Sequence, residues 1–211
     1  MKCDPETASI ISSMLLQSKA IKLNAETPFI WASGIKSPIY CDSRQTLSYP
    51  QVRRQIALQF STLVKRHFGQ AQVIAGVATG AIAHGILVAE ELGLPFVYVR
   101  CAPKGHGMGN RVEGRILPGA KAVVIEDLVS TGNSSIEAVK ALRHAGFEVS
   151  AMLAIFTYGL PEAELAMAEN KCELITLSNY EILLETALSE QRISQSELEI
   201  LAKWRHNPYA W

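Results

Sequence analysis

This sequence of 211 residues has no charge excess of either sign: twenty Lys and Arg stand against twenty Asp and Glu. Coating a nucleic-acid duplex takes a basic excess that displaces counterions, so no nucleic-acid partner is expected. There is no C-x-x-C pair. Cys3, Cys41, Cys101 and Cys172 are scattered, which excludes zinc-finger and dithiol-redox spacing. There is no long apolar leader either, because Ile10-Ile11-Ser12-Ser13-Met14-Leu15-Leu16 is short and broken by serines. A reduced, cytoplasmic setting is the expectation. One segment, His67 to Ala89, lacks formal charge and is long enough to raise a membrane question. It carries His67, Gln70, Gln72, Thr79, His84 and four glycines, so it reads as strand, turn and buried helix, with no membrane partner expected. The Walker pattern, H-E-x-x-H and G-x-S-x-G are all absent.

What is present is an ordinary globular composition, 48% hydrophobic, in a length that suits one domain. Apolar spacing predicts a helix from Thr7 to Ala20. Phe29 to Asp42 reads as a short hairpin turning near Ser33-Gly34. Pro50 opens a helix to about His67, with Val52, Ile56, Leu58, Phe60 and Leu63 as core candidates. Strands and helices then alternate: strands at 72–77, 96–99, 122–125, 149–156 and 173–177, and helices at 81–92, 134–144 and 161–169. Alternation with continuous apolar runs predicts a parallel sheet covered on both faces. Such sheets bind ligands beyond the carboxyl ends of their strands, so the residues after Val77, Val99 and Ile125 form the expected site.

The most informative stretch is Val123 to Ser135. An apolar strand ends in Glu126-Asp127, followed by Leu128-Val129-Ser130-Thr131-Gly132-Asn133-Ser134. Two carboxylates at a strand tip accept strong, charge-assisted hydrogen bonds from vicinal sugar hydroxyls. The hydroxyls and free N–H groups at a helix start make an anion cradle, helped by the helix dipole. Together they suit a ribose 5-phosphate. Simple helix capping, by Asn133 or Ser134 with Glu137 one turn on, explains the hydroxyl and amide residues but not the paired acids. A second stretch, Arg100 to Arg115, follows a strand and is long for a connection inside a domain. It holds four glycines, and four cations against Glu113 alone. That composition suits a lid closing over a polyanion with Arg100, Lys104 and His106.

Glu126 to Ser134 resembles the phosphoribosyl pyrophosphate motif of type I phosphoribosyltransferases. The spacing Arg100, Lys104, His106-Gly107 is similar to the catalytic lid of the orotate phosphoribosyltransferases. Phe29-Ile30-Trp31-Ala32-Ser33-Gly34-Ile35-Lys36-Ser37-Pro38-Ile39-Tyr40 resembles their N-terminal hood, and Ile155 to Pro161 is similar to one bacterial branch. The resemblance runs along nearly the whole chain. It implies an α/β, type I phosphoribosyltransferase-like fold: a parallel central sheet flanked by helices, with a hood in 1–70, a core in 71–178 and a helical tail in 179–211.

It further implies transfer of ribose 5-phosphate from phosphoribosyl pyrophosphate to orotate in pyrimidine biosynthesis. Arg100, Lys104 and His106 then bind the diphosphate, Glu126 and Asp127 the ribose, and the segment Leu128, Val129, Ser130, Thr131, Gly132, Asn133, Ser134 the 5-phosphate side, with Ser130 also contacting orotate. Lys104, His106 and Asp127 are the implied catalytic residues. Mg²⁺ is the implied cofactor, taking most ligands from substrate oxygens, with no protein ligand named. A homodimer sharing the lid across its interface is implied too. Where many members carry basic residues, this chain has Ala32, Gly80, Cys101 and Tyr158. Lys36 is a candidate from a shifted position, and the partner of the orotate carboxylate stays open. His84 reads as a packed or hydrogen-bonded histidine, and His67 and His144 as helix-end cations. Trp31 suits either the base site or the core; Trp204 and Trp211 read as packing anchors. Two rival functions remain: a phosphoribosyltransferase for a purine or uracil, and a regulator that binds phosphoribosyl pyrophosphate only as a signal.

Overall fold

A computed structural model describes residues 3–31, 34–100 and 111–210. The first helix, α1 (Pro5–Gln17), starts two residues before the expected point because Asp4 caps it, accepting from the Thr7 N–H at 2.9 Å. Four short strands follow: β1 (Ile21–Leu23), β2 (Phe29–Ile30), β3 (Lys36–Ser37) and β4 (Ile39–Cys41). The expected hairpin is β2 against β3. A second antiparallel pair, β1 with β4, frames it; its segments are too short to show a period. A 3₁₀ turn (Ser43–Ser48) leads to α2 (Pro50–His67), which begins and ends where Pro50 and His67 predict. Its buried face is Ile56, Ala57, Phe60 and Val64, while Val52, Leu58 and Leu63 are only partly covered.

The core then alternates: β5 (Val73–Val77), α3 (Ile82–Leu92), β6 (Phe96–Val99), β7 (Val112–Glu113), β8 (Lys121–Val129), α4 (Asn133–His144), β9 (Glu148–Thr157), α5 (Pro161–Glu169) and β10 (Glu173–Asn179). One six-stranded sheet runs β10-β9-β8-β5-β6-β7. All its pairs are parallel except β6 with β7. The edge strand β7 was not predicted, since two residues carry no periodic signal. The sequence also predicts β8 to stop at Ile125. It continues to Val129 because β9 supplies partners beyond that point, ending with Val129 opposite Thr157.

The tail, α6 (Tyr180–Ser189) and α7 (Gln195–His206), folds back onto this frame. Trp204 is fully buried and donates its indole N–H to the Lys36 carbonyl at 3.2 Å. Trp31 donates likewise to the Ile39 carbonyl at 3.0 Å. The Trp31 ring lies 4.9 Å from Tyr158 and 5.6 Å from Trp204. Each such aromatic pair adds about 0.5–1.5 kcal/mol beyond its buried area. This cluster joins the β2–β3 hairpin to the end of β9 and to α7, so Trp31 and Trp204 are packing residues; Trp211 lies outside the described residues. No helix among the described residues is long and apolar enough to cross a membrane.

Candidate functional site

The site is made by unequal strand lengths. β5 pairs with β8 only as far as Gly76 opposite Ile125, then leaves the sheet through Ala78–Ala81 into α3. From Glu126 onward β8 is held on one edge alone, and a cleft opens on the other. The carboxylate of Asp127 swings into it. A Cβ on Gly80 would lie 2.0 Å from Asp127 Oδ2, so the bare glycine makes this position available. The opposite wall is the chain leaving β4. Cys41, Asp42, Ser43, Arg44, Ala78, Thr79, Gly80 and Asp127 enclose a cavity of about 350 Å³. A larger cavity of about 730 Å³ lies at the other end of the strands, among Phe68, Lys121, Arg143 and Phe147. Its guanidinium is already committed: Arg143 donates to the carbonyls of Val149, Asn170 and Lys171. Of its remaining cations, His67 ends α2, where the helix dipole calls for it, and Lys121, at the start of β8, donates to Gln70 Oε1.

Consecutive residues of a strand face opposite sides. Glu126 and Asp127 therefore diverge at the backbone. Asp127 points to the cavity, whereas Glu126 is 5% exposed and turned toward α4. Glu126 Oε2 accepts from Ser135 Oγ at 2.9 Å, and Oε1 from the Asp127 N–H at 3.1 Å. Burial, then the charge of Asp127, pushes the Glu126 carboxyl well above the usual carboxylate range. Burial also raises Asp127, opposed by hydrogen bonds and by the nearby Arg44 charge. Burial and mutual repulsion disfavour two full negative charges on the pair, and a cationic group beside them would relieve it.

Beyond Val129 the chain turns through Ser130, Thr131 and Gly132 into α4. Capping by Asn133 or Ser134 does not occur. The cap position is Gly132, at φ +83°, with no side-chain cap, and Asn133 and Ser134 are exposed helical residues. The first-turn N–H groups of α4 thus have no side-chain cap. Glu137 turns away to Lys140 at 3.0 Å and Arg111 at 3.6 Å. Leu128 and Val129 belong to the strand, opposite Phe156 and Thr157. The Val129 carbonyl is taken by Thr157 Oγ1 at 2.9 Å.

Arg100 follows β6 and is paired with Arg111. Its N–H donates to the Arg111 carbonyl at 2.8 Å, and Arg111 Nε returns a bond to the Arg100 carbonyl at 3.0 Å. Arg100 Nη1 lies 3.6 Å from Glu113 Oε1. Lys104, His106 and Cys101 lie outside the described residues, as do Ala32 and Ser33. Tyr158, where a family arginine was expected, is 2% exposed in the aromatic cluster. Lys36 is exposed and does not line the cavity. His84 is fully buried with Nε2 3.0 Å from Thr46 Oγ1, a hydrogen-bonded core histidine as expected. Cys3, Cys41 and Cys172 are free thiols.

The sequence reading missed Asp42, Arg44, Thr79 and Ser135. Asp42 and Arg44 had a local signal in the Asp-x-Arg spacing, since Asp42 caps the 3₁₀ turn by accepting from the Arg44 N–H. Ser135 had none, because its contact with Glu126 spans the β8–α4 turn.

Comparison with known proteins adds to this geometry. The model of the phosphoribosyl transferase domain matches residues 48–183. The chain is 54% identical over 202 residues to the orotate phosphoribosyltransferase of Phocaeicola vulgatus, covering 96% of this chain and 95% of that protein. It is 52% identical over 202 residues to that of Porphyromonas gingivalis, covering 96% of each. Among solved structures, orotate phosphoribosyltransferase from Aeropyrum pernix superposes with a TM-score of 0.72 at 27% identity, covering 85% of this chain and 98% of that one.

Proposed function

Because this chain belongs to the phosphoribosyl transferase family, and within it to the orotate phosphoribosyltransferases, we propose the following division of labour among its residues. The reaction moves ribose 5-phosphate from phosphoribosyl pyrophosphate to N1 of orotate, giving orotidine 5'-monophosphate and diphosphate in pyrimidine biosynthesis. The bond from the anomeric carbon to diphosphate breaks, a bond to N1 forms, and the N1 proton leaves. The observation that carries this reading is the Asp127 carboxylate lining a cavity, on the strand that leads through Ser130–Gly132 into an uncapped helix N-terminus.

The N–H groups and hydroxyls from Ser130 to Ser134 take the 5-phosphate, with Leu128 and Val129 setting their position and Ser130 at the orotate side. Asp127 accepts from a ribose hydroxyl. Glu126 does so by exchanging the Ser135 hydroxyl for one of the sugar's. As the glycosidic bond lengthens, positive charge grows on the ribose, and two acids raised by burial gain by facing it. Arg100, Lys104 and His106 meet the negative charge on the departing diphosphate, and His106 is suited to protonate it near neutral pH. Closure of the proposed lid, Arg100 to Arg115, keeps water from the anomeric carbon.

Mg²⁺ suits this donor set as an ion arriving on the diphosphate. The cavity offers the oxygens of Asp42 and Asp127, and no group of three or more His, Cys, Asp or Glu among the described residues forms a cage. When bound it would neutralise diphosphate charge. Segments 1–70, 71–178 and 179–211 act as hood, core and tail of one domain. The working unit is a cytoplasmic homodimer in which each lid serves the partner's site.

The deciding experiment follows loss of orotate absorbance with phosphoribosyl pyrophosphate and Mg²⁺, beside uracil, adenine and hypoxanthine. Orotate consumption with stoichiometric diphosphate release is expected. Turnover of another base instead, or binding without diphosphate release, would replace this reading with one of its rivals.

A further inference from the structure

Asp127 faces one cationic side chain across the cavity. Among the described residues that line it, Arg44 is the only Lys, Arg or His. The Arg44 side chain is 61% exposed and is held by one ion pair, Nε to Asp42 Oδ1 at 2.6 Å. Asp42 is itself fixed, capping the turn through the Arg44 N–H and accepting from Gln45 Nε2 at 3.3 Å. A guanidinium carries five N–H donors in a flat fork. With Nε on Asp42, the terminal nitrogens remain for a ligand.

The turn beneath is clamped as well. Thr46 Oγ1 donates to the Ser43 carbonyl at 2.5 Å and accepts from His84 Nε2 at 3.0 Å, with Thr46 and His84 both fully buried. His84 Nδ1 is buried without a hydrogen-bond partner, a cost that an apolar side chain would not carry. The fold thus holds a tethered cation on a rigid support, directly opposite a carboxylate, above a glycine that leaves the space open.

We propose that Arg44 is a substrate-binding residue of this site, pairing through its terminal nitrogens with an anionic oxygen group of a bound substrate, and that Asp42 is its positioning residue. The inference rests on the reading of the cavity as the substrate site. Two groups share the required chemistry: the carboxylate of orotate and the diphosphate of phosphoribosyl pyrophosphate.

Arg44→Gln keeps length and polarity and removes the charge; Arg44→Lys restores charge without the fork. The measurements are KM and kcat for each substrate, direct calorimetric binding of phosphoribosyl pyrophosphate, and turnover of uracil, which is orotate without its carboxylate. Arg44→Gln is expected to lower kcat/KM at least tenfold, chiefly through KM, with partial recovery in Arg44→Lys. A loss confined to orotate and absent with uracil places the carboxylate on Arg44. An equal loss with both bases, with weakened phosphoribosyl pyrophosphate binding, places the diphosphate there. Asp42→Asn is expected to reproduce part of the same KM effect. Because the side chain is exposed, the melting temperature should stay within a few degrees, so a folding defect is separable. Unchanged kcat/KM for both substrates in Arg44→Gln overturns the proposal. If the wild-type protein consumes no orotate, the functional reading fails instead, and the calorimetric arm still decides whether Arg44 meets phosphoribosyl pyrophosphate.

Discussion

His84 shows how a single residue couples site geometry to acid stability. Burial holds its imidazole down to about 4, against 6.5 for a free side chain. The unfolded chain therefore takes up a proton that the folded protein refuses, and stability falls as pH drops through that window. The shift amounts to about 3 kcal/mol lost between pH 6.5 and 4. His84→Leu removes both the titration and the unpartnered Nδ1. Urea midpoints at pH 7, 5.5 and 4.5 should fall less steeply in the variant than in the wild type. Glu126 is raised rather than lowered, so it works in the opposite direction, but it is present in both proteins and cancels in the comparison. Parallel slopes would remove His84 from the acid response. Thr46→Val breaks the same clamp from its other side. It also loses the bond to the Ser43 carbonyl, so the double variant with His84→Leu should lose little more activity than Thr46→Val alone, the bond to His84 being common to both.

At the scale of elements, the site depends on two connections whose conformations are set by what they pack against. The turn from β8 into α4 needs Gly132 twice over: its φ is +83°, and a Cβ would lie 3.3 Å from Ala163 Cα on α5. The left-handed conformation alone costs an L-residue about 1–2 kcal/mol. Gly132→Ala should therefore lower the urea midpoint and raise KM for phosphoribosyl pyrophosphate, because relief of the contact moves the N–H groups proposed to hold the 5-phosphate. A variant with the wild-type midpoint and KM would show that the turn tolerates a side chain and does not position the phosphate. The other connection, Ala78–Ala81, leaves the sheet one strand-step before the acids, and that early exit is what exposes Asp127.

For the whole molecule, the proposed sharing of lids makes a prediction that one subunit alone could not meet. Lys104→Ala and Asp127→Asn dimers should each be nearly inactive. After subunit exchange in a one-to-one mixture, about a quarter of wild-type activity should return, because half the dimers are mixed and each mixed dimer holds one intact site. No recovery after exchange verified by mass spectrometry would assign each lid to its own subunit. The alternating strands and helices, the helix from Pro50 to His67, the hairpin of Phe29–Ile30 with Lys36–Ser37 and the acid-then-hydroxyl stretch at 126–134 were all legible in the residues, because each is a local pattern of apolar spacing or turn chemistry. The β1–β4 pair, the edge strand β7 and the continuation of β8 to Val129 were not, because each depends on a partner distant in the chain. The same division runs through the site. The order of residues determined that two acids precede a hydroxyl-rich helix start, and motif similarity pointed to the family. Only the tertiary structure decided that Glu126 turns inward to Ser135 while Asp127 faces Arg44 over Gly80, since strand alternation separates neighbours and the packing of β5, α3 and the Ser43–Ser48 turn chooses which of them meets the cavity.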